Sequence, residues 1–487
     1  MSDLIPPPGD IARPRSTTPK LAPDLISGPI ARTLLMFSLP VLGGNILQSL
    51  NASVNAIWIG HYLGEAALTA ASNANTILFF LLGVVFGISM ATAILVGQSV
   101  GSGNLAQARR VVGTGASFFA ALSVLVALAG YVLTPTILHA MHTPANAQPY
   151  AVAYLRIIFI ALPFMYFYNF LMMALRGGGD SRTPFYFMLL SVVLDIALNP
   201  LLIFGAGPIP AMGIAGSAAA TLVAQTLSLG LMIAHLYRRK HFLVLRADAL
   251  RFLRPDPAIL RALLTKGLPM GLQMMVVSSS ALIMLSMVNG YGSQITASYG
   301  ITAQLWTYVQ MPALAIGASV SSMAAQNVGA GRWDRVDRIA LVGVAYNFLL
   351  TGALVGLLYL ADHAALSLFL PATGNAIAIA QHINNVVSWS FIFFGVTMVL
   401  FGVVRATGAV MAPLLMLCVS MWLVRLPFAY FMAPRLGVES IWWSFPFGTL
   451  VALVLAVSYY RYGGWRKARM LTPQVSAAPV GAAISSS

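Results

Sequence analysis

Residues 183–205 read TPFYFMLLSVVLDIALNPLLIFG, an apolar run with one carboxylate, Asp195, near its middle. As a helix rising about 1.5 Å per residue the run is long enough to cross a bilayer. Asp195 then lies roughly 15 Å from either end, close to the depth where charge is most costly. The other acids fall elsewhere. Asp3, Asp10 and Asp24 sit in a polar N-terminal stretch, and Asp180, Asp248, Asp256, Asp334 and Asp337 in basic loops. Glu65, Asp362 and Glu439 are expected in loops on the opposite side. Asp195 is therefore expected to be the one acid inside the membrane. An intramembrane carboxylate reads first as a proton or cation relay and second as a protonated structural group.

Composition widens this reading to the whole chain. Of 487 residues, 59% are hydrophobic and 8% charged, against about 25% charged in soluble domains. Such a chain cannot cover itself with polar surface, and its long apolar runs predict helical spans rather than a barrel. The net charge of +15 does not indicate nucleic acid, because the basic residues cluster beside every second apolar run, as topology requires. Cys418 is the single cysteine, which rules out a disulfide framework.

Twelve spans are expected, at 33–58, 73–97, 107–134, 150–175, 184–205, 213–237, 262–288, 298–325, 337–361, 378–404, 411–433 and 439–460. All of the 27 basic residues but Arg156, Arg425 and Arg435 fall on one side. That side is the cytoplasmic one by the positive-inside rule, and both termini lie there. The expected organisation is a disordered tail 1–32, a six-helix bundle 33–237, a basic linker 238–261, a second bundle 262–460 and a tail 461–487.

The two bundles repeat. GQSVGSGN at 97–104 matches AQNVGAGR at 325–332, Leu39-Pro40 matches Leu268-Pro269, and Arg176, Gly179 and Pro184 match Arg405, Gly408 and Pro413. Six spans per repeat is an even number, so the halves share one topology and are related by an axis along the membrane normal. Two such bundles enclose a cleft that can open to either side, which is a transporter architecture. On LNASVNAIWIGHYLGEAALTAAS (50–72), GQSVGSGN, ALRGGGDSRTPF and LDIALNPLLIFG (174–205), the chain resembles the multidrug and toxic compound extrusion (MATE) transporters across residues 33–460. The resemblance implies a V-shaped fold of two six-helix repeats in a plasma or bacterial inner membrane. It also implies export of small organic cations or drugs in exchange for H⁺ or, less readily here, Na⁺. Membrane lipids surround such a protein, which is expected to be a monomer without cofactor or resident metal and not an enzyme.

The chain departs from that family's pattern where the coupling ion binds. The first helix carries Asn55 where relatives place an aspartate, and the fifth carries Asp195 before Asn199, the reverse of the usual order. Residues four apart share a helix face, so Asp195 and Asn199 still serve one pocket. Asp195, Asn199 and Asn55 are the expected coupling residues, and a single carboxylate favours a one-proton cycle. Asn45, Gln48, Asn51 and Asn55 form one polar stripe on the first helix. With Gln273, Asn384 and Asn385 from the second half they are the candidate cleft lining. Pro40 and Pro269 are candidate hinges, since proline frees a backbone carbonyl within a helix. Arg425 has no expected partner, and His382 reads as a hydrogen-bonded structural histidine. The alternative function is a related flippase for lipid-linked saccharides, which calls for a cleft rich in arginine. Only Arg425 is expected within the membrane interior.

Overall fold

The computed structural model describes residues 25–205, 207–208, 210–245, 251–367 and 375–471. The tails expected before residue 25 and after residue 471, and the middle of the linker, lie outside the described residues. The first half is α1 Ile30–Leu63, α2 Glu65–Gly101, α3 Leu105–Ala140, α4 Gln148–Gly177, α5 Arg182–Phe204 and α6 Ile214–Arg238. The second half runs α7 Pro257–Asn289, α8 Ser293–Gly329, α9 Trp333–Ser367, α10 Ala376–Val387, α11 Ser390–Thr407, α12 Met411–Leu417, α13 Leu426–Leu436 and α14 Glu439–Tyr462. No strand occurs among the described residues. Side chains such as Leu360, 90% exposed, clothe the outside. In water that would be unstable, but lipid solvates it, and the chain is an integral membrane protein.

Two expected spans are built differently from the prediction. The tenth, 378–404, is broken at Ser388–Trp389 into α10 and α11. The eleventh carries eight residues of π-helix, Cys418–Arg425, between α12 and α13. Wider π turns re-aim side chains, and this one ends on Arg425, whose guanidinium carbon lies 3.4 Å from the centroid of the Phe445 ring. Eleven described helical segments are long and apolar enough to cross a membrane. Outside that set are α10, only 12 residues long, and α8, which is rich in Ser, Thr and Gln yet buried from Met311 to Asn327 at most positions.

The internal repeat is visible in the turns. Gly64 and Gly292, Gly103 and Gly331, and Gly179 and Gly408 occupy matching positions, all at positive φ between 71° and 102°. The starts of α3 and α7 are capped by side chains. Asn104 Oδ1 accepts from the Gln107 amide at 2.9 Å, and Asp256 Oδ1 accepts from Ala258 and Ile259. Each such cap satisfies an amide the helix leaves unpaired.

The halves meet through α2 against α7 and α8, and through α1 against α8. Along α2 nearly every residue from Gly83 to Ser99 is buried, which is the part nearer the basic side. Glycine lets the backbones close there. A Cβ at Gly87 would collide with the backbone of Gly267 and Gly271, and one at Gly101 with the Gln326 carbonyl. Small residues replace hydrophobic burial as the means of close helix approach in lipid.

Candidate functional site

Three helices of the first half converge on Asp195. Apolar residues surround it along α5, and the side chain, 1% exposed, points into the bundle between α1 and α6. From α1, Asn55 Nδ2 donates to Asp195 Oδ2 at 2.9 Å. From the next turn of α5, Asn199 Nδ2 donates to Asn55 Oδ1 at 2.9 Å, to the Asp195 carbonyl at 2.8 Å and, longer, to Asp195 Oδ1 at 3.4 Å. From α6, Thr221 Oγ1 donates to Asp195 Oδ1 at 3.1 Å. Asn51 lies one turn before Asn55 and also interacts with the carboxylate. The reversed order of Asp195 and Asn199 is thus compatible with one shared pocket, as their four-residue spacing requires.

The neutral donors around Asp195 stabilise a carboxylate in low dielectric without a permanent counter-charge. Two oxygens of the same cluster, Asn51 Oδ1 and Asn199 Oδ1, are buried and accept no hydrogen bond. Thr221 is absent from the residues singled out by sequence. Its signal was present, because Ser217, Thr221, Gln225 and Ser228 fall on one face of α6.

The remaining candidates are dispersed. Asn45 lines a small cavity nearer the basic side, and Gln48 is exposed. Gln273 is buried, donating to the Val410 carbonyl at 3.3 Å and accepting from Arg405 Nη1 at 3.3 Å. Asn384 is buried between Trp306, whose Nε1 donates to it at 2.9 Å, and Asp362. Asn385 is exposed, and its carbonyl accepts from Tyr359. Pro40 and Pro269 both lie within continuous helices, α1 and α7. Asn55, Asn51 and Asn199 are therefore the candidates brought together with Asp195.

Three expectations about charge need correction. Asp362 is not in a loop. Helix α9 continues to Ser367, beyond the expected end at 361, and carries Asp362 into the second half, where Asn384 Nδ2 donates to it at 2.7 Å. Asp195 is consequently not the only buried acid. Arg176, expected just beyond the span 150–175, is the buried penultimate residue of α4, so the half-buried Arg425 is not the only arginine inside the helical bundle. His382 pairs with Glu439 at 2.8 Å, in keeping with a hydrogen-bonded structural histidine.

Comparisons with known proteins follow the same division into halves. A profile of the MatE family matches twice, at residues 40–201 and 269–431. The probable multidrug resistance protein YoeA of Bacillus subtilis is 36% identical over 438 residues, 90% of this chain and 94% of that protein. The probable multidrug resistance protein YpnP of the same organism is 32% identical over 449 residues, 92% and 99%. A solved structure described as the outward-facing conformation of a multidrug resistance MATE family transporter superposes with a TM-score of 0.83. It shares 19% identity and covers 90% of this chain and 96% of that one, which establishes the same V-shaped fold. Matched in both halves and related to these proteins over nine-tenths of its length, the chain belongs to the MatE family of multidrug and toxic compound extrusion transporters.

Proposed function

We propose that the protein exports small organic cations or drugs in exchange for a proton at Asp195, by alternating access of the cleft between its halves. The observation that carries this reading is the buried carboxylate held by donors from three helices. Protonation places a donor where Asn55 now donates, so the Asn55–Asp195–Asn199 linkage rearranges and α1 is released from α5. Facing outward, Asp195 takes a proton, the site loses its negative charge and a bound cation leaves. Facing inward, proton loss restores the charge. Pro40 within α1 offers the bend that follows, with Pro269 its equivalent in α7. The clustering of basic residues supports cytoplasmic termini, and the names of YoeA and YpnP support drug substrates.

A second reading, Na⁺ exchange at the same place, is favoured by the unpartnered oxygens of Asn51 and Asn199, since amide oxygens suit a hard cation. One experiment separates the two. Uptake of a fluorescent organic cation into proteoliposomes is measured under a pH gradient alone and a Na⁺ gradient alone, for wild type and Asp195→Asn. Proton exchange predicts uptake with the pH gradient and at least a hundredfold loss in the variant. Uptake driven only by Na⁺ would move the second reading to the front, and normal uptake by Asp195→Asn would refute both.

A further inference from the structure

A cavity of about 100 Å³ lies between the halves near the basic side, lined among others by Asn45 of α1, Ala93 of α2, Arg176 of α4, and Ser321 and Ser322 of α8. Ten residues of α1 separate Asn45 from Asn55, so the cavity is roughly 15 Å from the Asp195 cluster along the helix. It is too small for a drug-sized molecule, for which pockets are about 300 Å³ or more. An ion with one or two waters of about 30 Å³ each does fit.

Arg176 is 9% exposed, and its Nε has no hydrogen-bond partner. The described residues lining the cavity include no carboxylate. Asp180, close by in sequence, accepts from the amides of Arg182 and Thr183 at 3.0 Å. A buried charge is ordinarily paired.

The internal repeat explains why this one is not. Arg405 occupies the equivalent place in the second half, where Nε donates to the Phe401 carbonyl at 3.2 Å and Nη1 to Gln273 Oε1 at 3.3 Å. At the offset that relates Arg405 to Arg176 and Pro269 to Pro40, Gln273 corresponds to Gly44. A Cβ placed on Gly44 would lie 3.6 Å from Arg176 Nη2. The first half therefore keeps the arginine but lacks the amide that occupies it in the second half.

We propose that the cavity is a small-anion site, taking a halide, phosphate or carboxylate group on Arg176, with the Ser321 and Ser322 hydroxyls and the Asn45 amide as further donors. Since α8 belongs to the second half, a bound anion bridges the halves and favours the arrangement closed on the basic side. The site is separate from Asp195 and requires no proton exchange.

The test is thermal unfolding of the purified full-length protein in detergent. Sodium gluconate is replaced stepwise by sodium chloride, phosphate or formate at fixed pH, sodium concentration and ionic strength. A saturable rise in Tm with at least one of these anions is expected, unchanged in Asp195→Asn and lost in Arg176→Gln. A response to chloride identifies a free inorganic ion, and one confined to formate identifies the carboxylate of an organic ligand. Gly44→Gln rebuilds the arrangement of the second half while keeping the charge, with only the flexible end of Met188 in its way at 3.2 Å. It should weaken anion binding at least tenfold, and it decides the matter if Arg176→Gln does not fold. No saturable response in wild type, or an equal response in Gly44→Gln, would overturn the proposal.

Discussion

At the residue scale, the site depends on short polar side chains holding one carboxylate. Thr221 is the informative member because it touches Asp195 from α6, a helix that contributes no other donor to it. A hydrogen bond to a charged group contributes about 1.5–3 kcal/mol. Thr221→Val preserves shape and should slow pH-driven uptake by about tenfold, the equivalent of roughly 1.4 kcal/mol, with a modest fall in Tm and unchanged expression. Proteoliposome rates at equal protein content measure this, and an unaltered rate would take Thr221 out of the coupling site. Legibility differed sharply among these residues. Asp195, Asn199 and Asn55 could be singled out because a carboxylate and amides inside apolar runs are conspicuous. Thr221 could not be ranked above other hydroxyls, because helical Ser and Thr commonly bond their own backbone, as Thr92 and Ser99 do.

At the element scale, the turn after α6 carries a pH response outside the spans. His241 Nδ1 accepts from the Leu243 amide at 3.3 Å, which requires the neutral ring. Burial pushes its pKa below the ordinary value of 6.5, with Asp180 opposing and His235 reinforcing the shift. The unfolded chain therefore binds the proton first as pH falls. The stabilisation is complete above about pH 6.5 and is lost as pH drops from there toward the lower folded value. The Tm of wild type should fall between pH 7.5 and pH 5.5 by more than that of His241→Asn. The difference should correspond to about 1 kcal/mol, one hydrogen bond. Parallel curves for the two proteins would count against this account. Helix positions were readable from apolar length, but the break at Ser388–Trp389 and the π turns before Arg425 were not. Both leave the hydrophobic pattern intact and alter only local hydrogen bonding.

At the scale of the whole molecule, two equivalent glutamines fasten the halves. Gln98 Nε2 donates to the Ala406 carbonyl at 2.7 Å and Gln326 Nε2 to the Gly177 carbonyl at 2.9 Å, each reaching from one half into the other. Opening the basic side must break both. At about 1 kcal/mol per bond, Gln98→Ala combined with Gln326→Ala should shift the equilibrium toward the open form by roughly thirtyfold. Electron–electron distance measurement suits this, with spin labels at Ser102 and Asp334 in a Cys418→Ser background. A new longer-distance population is expected, and an unchanged distribution would show that other contacts hold the basic side closed.

Composition, apolar length and an internal repeat determined the class, the succession of helical spans and the two halves, because lipid forces every backbone group into helices and leaves few alternatives. The same information located Asp195, since a carboxylate in the middle of an apolar run stands out from every other acid in the chain. Which polar groups meet was decided only by the tertiary structure. Gln273 and Asn384, candidates for the cleft, are engaged by Arg405 and Val410, and by Asp362 and Trp306, partners the sequence does not name. Asp362 and Arg176 are buried although their positions near helix ends suggested loops. A helix end is solvent-exposed or enclosed according to the neighbour packed on it, and that neighbour is distant in sequence.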